Sequence, residues 1–89
     1  MNAAVGLPVR RGERLGAAHL PGLLALEDLG FPPRERWSAR SWTSELTRPG
    51  NRALGAYSGE LLVAAGVVGV LYEDAELLRI VVASAHRGR

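Results

Sequence analysis

The chain has 89 residues and a mass of 9.5 kDa, enough for one small domain or for part of a larger one. Hydrophobic residues make up 47% of it and charged residues 22%, a composition typical of globular proteins. The absence of cysteine excludes a disulfide scaffold and thiol catalysis, and two histidines do not suffice for a His-rich metal site.

The net charge is only +2, although the pI is 9.9 because every basic residue is Arg. Residues 1–48 contain seven Arg and five acidic residues, and residues 49–89 contain four of each. A protein that binds nucleic acid concentrates its positive charge in a patch or stripe, and this sequence has none. We therefore predict no nucleic-acid partner.

Neither a leader nor a membrane span is predicted. The segment Met1–Pro8 has no early positive charge and no long apolar stretch, so it does not resemble a secretory signal. The longest apolar run, Leu61–Tyr72, is far shorter than the roughly 20 residues of a membrane-spanning helix. These features predict a cytoplasmic protein that does not associate with membranes.

The first elements along the chain are predicted to be a strand and a helix. Leu7–Arg14 has the hydrophobic and Arg content of a short edge strand. Leu20–Leu29 carries an apolar stripe, with Pro21 in the first turn, where proline is tolerated, and Gly30 as a stop signal. This segment is therefore predicted to be helical.

A second helix is predicted after a proline-containing loop, residues 31–36. Ser38 is a good N-cap for a helix over Ala39–Thr47, which Pro49 and Gly50 would end. Trp37 precedes the cap and Trp42 lies four residues inside the helix, the spacing of a hydrophobic staple. The staple would fix the angle at which the loop enters the helix.

The remaining chain predicts a three-stranded antiparallel meander. Its strands are Arg52–Tyr57, Glu60–Tyr72 and Ala75–Val82, with turns at Ser58-Gly59 and Glu73-Asp74. The second and third strands are almost continuously apolar, a pattern of strands that are buried on both faces. Two short helices are not expected to cover both faces, so the sequence indicates an incomplete domain.

The end of the chain resembles the GCN5-related N-acetyltransferases. Ala75–Arg89 (AELLRIVVASAHRGR) is similar to the central strand of that family and the turn that follows it. In the family the turn has the pattern R/Q-x-x-G-x-G/A and opens the next helix. Arg87-Gly88-Arg89 would match its first three positions, and the two later glycines are not present in this sequence.

Two further stretches match sequence patterns of the family and indicate one subgroup within it. His19-Leu20-Pro21 through Glu27 is similar to the family's D-L-P…E first helix, with His19 where Asp is usual and a cap is lost. Trp37-Ser38 followed by Trp42 and Glu45-Leu46 resembles the W-S…F…E-L stretch of the ribosomal-protein-alanine N-acetyltransferases. The resemblance implies an α/β (α+β) fold, the N-terminal half of an acyl-CoA N-acyltransferase domain over residues 1–89, truncated at the acetyl-CoA turn.

The same resemblance implies acetyl-CoA as co-substrate. Ile80, Val81 and Val82 match the strand end whose backbone pairs with pantetheine, as a peptide does in strand addition. The pyrophosphate rests on the N–H groups of the turn at a helix N-terminus, and Arg87, Gly88 and Arg89 match the opening of that turn. The alternative for Ile80, Val81 and Val82 is an ordinary core strand, and the alternative for Arg87 and Arg89 is a solvated chain end.

Three side chains are candidates for the acceptor side. Glu27 lies on or beside the apolar stripe, where it could recognise the incoming amine; the alternative that the residues favour is a partly exposed Glu near a helix end. Trp37 and Trp42 could line a peptide channel, or serve only packing. An acidic cluster at the last hairpin is more typical of a solvated turn than of a metal site: Glu73, Asp74 and Glu76.

The implied reaction is direct transfer of acetyl to a protein N-terminal amine, with a ribosomal protein as the acceptor of the most similar subgroup. In that subgroup the catalytic acid and base belong to the C-terminal half, so no catalytic residue is assigned and the 89-residue chain alone is expected to be inactive.

Two alternative functions remain open: an acetyltransferase of the same fold that acts on a small amine or antibiotic, and a non-catalytic α/β module that binds a partner through its sheet edge. An unpaired edge also predicts self-association.

Overall fold

The computed structural model describes residues 9–71 and 74–86, which form one antiparallel sheet and two helices. The sheet order follows the chain, β1-β2-β3-β4, so each strand pairs with its neighbour in sequence. This is the predicted succession of strand, helix, helix and meander. The elements are β1 Val9–Arg14, α1 Leu20–Gly30, α2 Ala39–Thr47, β2 Asn51–Ser58, β3 Leu61–Leu71 and β4 Asp74–Val82.

The observed boundaries differ from the predicted ones by one or two residues. Ser58 belongs to β2, so the hairpin turn is Gly59-Glu60 and not Ser58-Gly59; Gly59 adopts a positive φ of 61°. The predicted loop over residues 31–36 contains a short 3-10 turn, Pro33–Glu35, because proline is compatible with the first position of a helical turn. Similar turns lie at Ala17–His19 and Ser84–His86.

The start of α2 confirms the predicted cap and staple. The Ser38 hydroxyl accepts a hydrogen bond from the Ser41 N–H at 3.1 Å. The rings of Trp37 and Trp42 meet edge to face, with centroids 5.0 Å apart and an interplanar angle of 67°. By contrast, His19 precedes α1 without a side-chain cap bond, as expected from a histidine at this position.

Both helices lie on the same face of the sheet, here called the helix face. Helix α1 packs on β3 and β4, and α2 packs on β2 and on α1. The core forms between these two layers because the apolar side of α1 faces alternate residues of the strands. Its buried members are Leu23, Leu26, Trp42, Ala53, Leu62, Ala65, Val67, Val81 and Ala83.

The C-terminal end of α1 approaches the sheet closely through Gly30. A Cβ atom at Gly30 would lie 2.6 Å from Val81 Cγ2 and 3.0 Å from the Val82 carbonyl oxygen. Only glycine permits this approach without displacing backbone. Gly30 is therefore the last residue of a helix that ends against β4, and not merely a stop signal.

No described helix covers the other face of the sheet, here called the open face. Leu54 and Ile80 both pair with Gly66 on this face, and Leu77 pairs with Val68. The large side chains that it presents are substantially exposed: Leu54 42%, Val70 41%, Leu77 60% and Ile80 59%. As expected from the sequence, the two helices do not cover both faces of the sheet, because they pack against each other and stay on one side.

The two edge strands differ. β1 has a register irregularity between Arg10 and Glu13, with Gly12 at a φ of 73°, and its side chains are mostly charged. Irregular and charged edges resist pairing with other chains. β4 has its own irregularity at Leu78, where the register against β3 shifts by one residue.

Across the part of the chain that the structure describes, no helix is long and apolar enough to span a membrane.

Candidate functional site

The carboxylate of Glu27 lies in the core, on the side of α1 that faces the sheet. It follows Leu23 by four residues and is only 1% exposed. The expectation of a partly exposed Glu near a helix end is therefore wrong. A buried carboxylate is costly unless it is paired and hydrogen-bonded, so its partners explain its position.

Donors from three parts of the chain satisfy Glu27. Its Oε1 atom accepts a hydrogen bond from the Trp37 backbone N–H at 2.9 Å. Its Oε2 atom accepts one from the Trp42 indole N–H at 3.0 Å and one from Arg79 Nε at 3.2 Å. A second Arg79 nitrogen donates to Oε1, which makes the ion pair bidentate.

Arg79 reaches Glu27 from β4 between two aromatic rings. Its guanidinium carbon lies 4.0 Å from the ring centroid of Phe31 and 5.0 Å from that of Trp37. It also donates to the Glu35 carbonyl oxygen at 2.8 Å. Stacking and a bidentate bond both require the planar guanidinium, so Lys would not be equivalent here.

These residues form one unit, here called the Glu27 cluster: Glu27, Phe31, Trp37, Trp42 and Arg79. It joins α1, the start of α2 and β4 to the segment between the helices, residues 31–38, here called the connection. The ion pair of Glu27 and Arg79 joins residues 52 positions apart in sequence. Removing one partner of such a buried pair typically costs more than the pair contributes, because the other charge is left uncompensated.

Sequence reasoning missed Arg79, although a signal was present. Glu27 is an acid on an apolar helix stripe, and Arg79 is the one charged residue within Leu77–Val82. A charge on a buried helix face and an opposite charge on a buried strand each require a partner, and each can serve the other. That argument predicts contact but not which of several acids the Arg meets.

The residues proposed for pantetheine lie at the end of β4, next to Arg79. Val81 is buried against α1, whereas Ile80 is exposed on the open face. The Ala83 N–H donates to the Val63 carbonyl at 2.9 Å, which places the backbone groups of Ala83 towards β3. Because alternate residues of a strand point their backbone groups to opposite sides, those of Ile80 and Val82 face away from β3, along the free edge.

The outer side of β4 is an open strand edge within the described residues. Within the described residues β4 is the last strand of the sheet, so its outward N–H and C=O groups at Ile80 and Val82 face no further strand. The end of α1 at Gly30 approaches the Val82 carbonyl, so the edge is most open at Ile80. An extended chain of amides can add to such an edge as a further strand. Arg87, Gly88 and Arg89, the residues matched to the pyrophosphate turn, lie outside the described residues.

The other predicted residues are placed as follows. Trp42 is fully buried, which favours the packing alternative for this side chain. Trp37 is only partly buried and borders a surface depression on α2 with Arg40, Ser41 and Ser44. Of the acidic residues at the last hairpin, Asp74 and Glu76 are exposed and Glu73 lies outside the described residues. The role of Glu27, Trp37 and Trp42 in binding an acceptor stays a prediction.

Searches with the sequence alone find no relative: no family model matches the chain, and no curated protein matches it. Comparison of the structure with solved structures finds similar folds. The fold matches the ribosomal-protein-S18-alanine N-acetyltransferase of Escherichia coli with a TM-score of 0.80 at 16% identity, covering 91% of this chain and 50% of that one.

Two further solved structures are similar. An acetyltransferase from Thermus thermophilus matches with a TM-score of 0.71 at 21% identity, over 93% of this chain and 61% of that chain. An aminoglycoside antibiotic 6'-N-acetyltransferase from Acinetobacter baumannii matches with a TM-score of 0.64 at 20% identity, over 92% and 60%. The chain thus has the fold found in these acetyltransferases and spans between half and about three fifths of their length.

Proposed function

We propose that this chain is part of an N-acetyltransferase that transfers acetyl from acetyl-CoA to an amine. The observation that carries the proposal is the end of β4: Ile80 and Val82 present outward backbone groups on a free edge, in a fold shared with three acetyltransferases. The resemblance of Ala75–Arg89 to the central strand and turn of the GCN5-related family supports the same function independently of the fold.

In this proposal β4 binds and orients the co-substrate. Acetyl-CoA supplies the thioester whose carbonyl carbon receives the amine nitrogen. The new C–N bond forms as the C–S bond breaks, CoA leaves as its thiolate, and the proton lost by the amine balances the one that converts this thiolate to the thiol. Holding both reactants in register accounts for a large part of the rate of such a reaction. Ile80 and Val82 would hold the arm of acetyl-CoA through their backbone, while Val81 anchors the strand to α1.

The acceptor is proposed to approach from the connection and the start of α2. This side carries the partly exposed Trp37, backed by the Glu27 cluster. Among the solved structures named above, the one with a TM-score of 0.80 acts on a ribosomal protein alanine, which supports a protein N-terminal amine as the acceptor class. We propose a cytoplasmic enzyme with a ribosomal protein among its acceptors.

Residues 1–89 alone are proposed to be inactive, because no acid or base is assigned among them and the two later glycines of the R/Q-x-x-G-x-G/A turn are not in the sequence. Losing several charge-assisted hydrogen bonds, each worth about 1.5–3 kcal/mol, would reduce acetyl-CoA affinity below detection. The test is calorimetric titration of acetyl-CoA into the 89-residue chain and into a longer product of the same reading frame.

Each outcome of this titration is informative. Binding by the longer product alone is the expected result. Micromolar binding by the 89-residue chain would show that the turn after Arg89 is not needed. No binding by a longer product with an intact Gly-x-Gly or Gly-x-Ala turn would contradict the proposed function, as would a reading frame that contains no such turn.

Two alternatives have distinct signatures. The likeness to an aminoglycoside acetyltransferase supports a small amine as acceptor, and a parallel screen of peptides and aminoglycosides with the longer product separates the two acceptor classes. A non-catalytic module would bind a partner along the β4 edge without affinity for acetyl-CoA. The titration described above distinguishes that module from the enzyme.

A further inference from the structure

Arg79 of β4 contacts both ends of the connection. It donates directly to the Glu35 carbonyl within the connection, at 2.8 Å. It also binds Glu27, whose carboxylate accepts the Trp37 N–H at the other end of the connection. Phe31 and Trp37 of the connection enclose its guanidinium. The next residue is Ile80, whose backbone groups face away from β3.

We infer that Arg79 is a positioning residue, which holds the connection against β4 at a fixed distance from Ile80 and Val82. Under the proposed function, on which this interpretation of the two surfaces rests, Arg79 fixes the acceptor side relative to the co-substrate edge. It does so through the Glu27 carboxylate and the Glu35 carbonyl and touches neither reactant itself.

The chemistry of the contact requires arginine. Lysine keeps the positive charge, but it cannot donate two parallel bonds to Glu27 while also reaching Glu35, and it has no planar head group to place over the rings of Phe31 and Trp37. Arg79→Lys therefore preserves charge balance and detaches the connection. Arg79 pairs with the core residue Val67 through its backbone, and Arg79→Lys leaves that pairing in place, so we expect the core beneath β2 and β3 to remain packed in this variant.

The test compares local with global opening by amide hydrogen exchange, because segments of a protein can open while its core stays closed. In Arg79→Lys the Trp37 amide should exchange at least about tenfold faster than in the unsubstituted chain, while Ala65 and Val67 on β3 keep their rates. Trypsin cleavage after the exposed Arg34 should accelerate in parallel. Neither measurement uses acetyl-CoA, so the inference about Arg79 can fail or succeed independently of the proposed function.

A matched control is Arg10→Lys. Arg10 also stacks on a ring, with its guanidinium carbon 4.9 Å from the Tyr57 centroid, and also donates to a carbonyl, that of Gly59. It lies on the exposed edge strand β1, so this variant should leave the Trp37 amide unchanged. A loss of protection at Trp37 in both variants would overturn the inference.

Three other results of the exchange experiment bear on the role of Arg79. Equal acceleration at Trp37, Ala65 and Val67 in Arg79→Lys would mean that Arg79 stabilises the whole fold and positions nothing. Unchanged exchange at Trp37 would mean that the contact is dispensable. If Arg79→Lys does not fold, the unsubstituted chain provides the test: a Trp37 amide protected as well as Val67 supports the inference, and one that exchanges at the rate of an open loop overturns it.

Discussion

The two faces of the sheet have similar amino acids but different environments. On the helix face, Leu23, Leu26, Trp42, Val67 and Val81 are at most 1% exposed. On the open face, Leu77 and Ile80 come from the same strand as Val81 and are about three fifths exposed. Hydrophobicity therefore shows that a strand is suited to burial, while the presence of a packing partner determines which side is buried.

The difference has energetic consequences that substitutions can measure. A change on the helix face removes packing that supports folding, whereas the same change on the open face removes contacts that the described chain does not make. The expectations below begin with the largest effect. Each pairs a helix-face residue with a control from a more exposed position.

The largest loss is expected for Glu27→Ala. It removes the acceptor of four hydrogen bonds and leaves the Arg79 guanidinium without its partner. Breaking a buried ion pair in this way should lower the free energy of unfolding by about 3–5 kcal/mol, measured by urea denaturation. The control is Glu13→Ala, which breaks an exposed pair with Arg10 and should cost less than about 1 kcal/mol. Equal losses would mean that Glu27 is not buried as described.

Trp42→Ala tests packing on the same face. The indole is fully buried beside Leu23 and Leu26, so its removal should cost about 3 kcal/mol or more in the free energy of unfolding. Leu77→Ala on the open face should change it by no more than about 0.5 kcal/mol. An unchanged midpoint for Trp42→Ala would contradict its burial and favour a role in lining an acceptor channel.

Glycines at the two ends of α1 should respond with opposite signs. Gly30→Ala forces a Cβ against Val81 and the Val82 carbonyl and should destabilise the fold by about 1–3 kcal/mol. Gly22→Ala meets only Leu62 Cδ2 at 3.8 Å, an ordinary contact, and should stabilise it by up to about 1 kcal/mol through helix propensity. Thermal unfolding of both variants checks this, and a stabilising Gly30→Ala would contradict the close approach of α1 to β4.

Some of these features could be predicted from local sequence and others could not. Ser38 and the Trp37–Trp42 spacing specify the start of α2 because a cap and a staple depend on residues within one helical turn. The meander was predictable for the same reason, since its strands pair with their neighbours along the chain. The register shift at Leu78 and the one-sided placement of the helices depend on three-dimensional packing, which apolar content alone does not specify.

Some features of the candidate site could likewise be predicted from the sequence, and others could not. The resemblance made Ile80, Val81 and Val82 candidates for the cofactor site, which stays a prediction. A backbone contact has no side-chain signature, so the sequence could not show which of the three face the edge. Glu27 was noticed for its place on the apolar stripe, and its exposure was misjudged because its partner Arg79 lies 52 positions away. Long-range pairing of this kind becomes visible only when the fold is known.

The smallest change in stability and a measurable change in association are expected on the open face. β4 has no outer neighbour within residues 9–71 and 74–86, and Leu77 and Ile80 are exposed. The 89-residue chain should therefore self-associate, as seen by sedimentation at increasing concentration. Leu77→Glu should shift the chain towards monomer while changing the free energy of unfolding by about 0.5 kcal/mol or less. A concentration-independent monomer without any substitution would contradict this expectation.

The most direct test of the central claim, that the free edge of β4 binds acetyl-CoA, is amide chemical-shift mapping on the longer product of the reading frame. We expect the largest shifts at Ile80 and Val82, whose backbone groups face the edge, and small ones at Ala65 and Val67 in the middle of the sheet. Saturable binding whose largest shifts fall on β1 or across the open face, with Ile80 and Val82 unmoved, would contradict the claim.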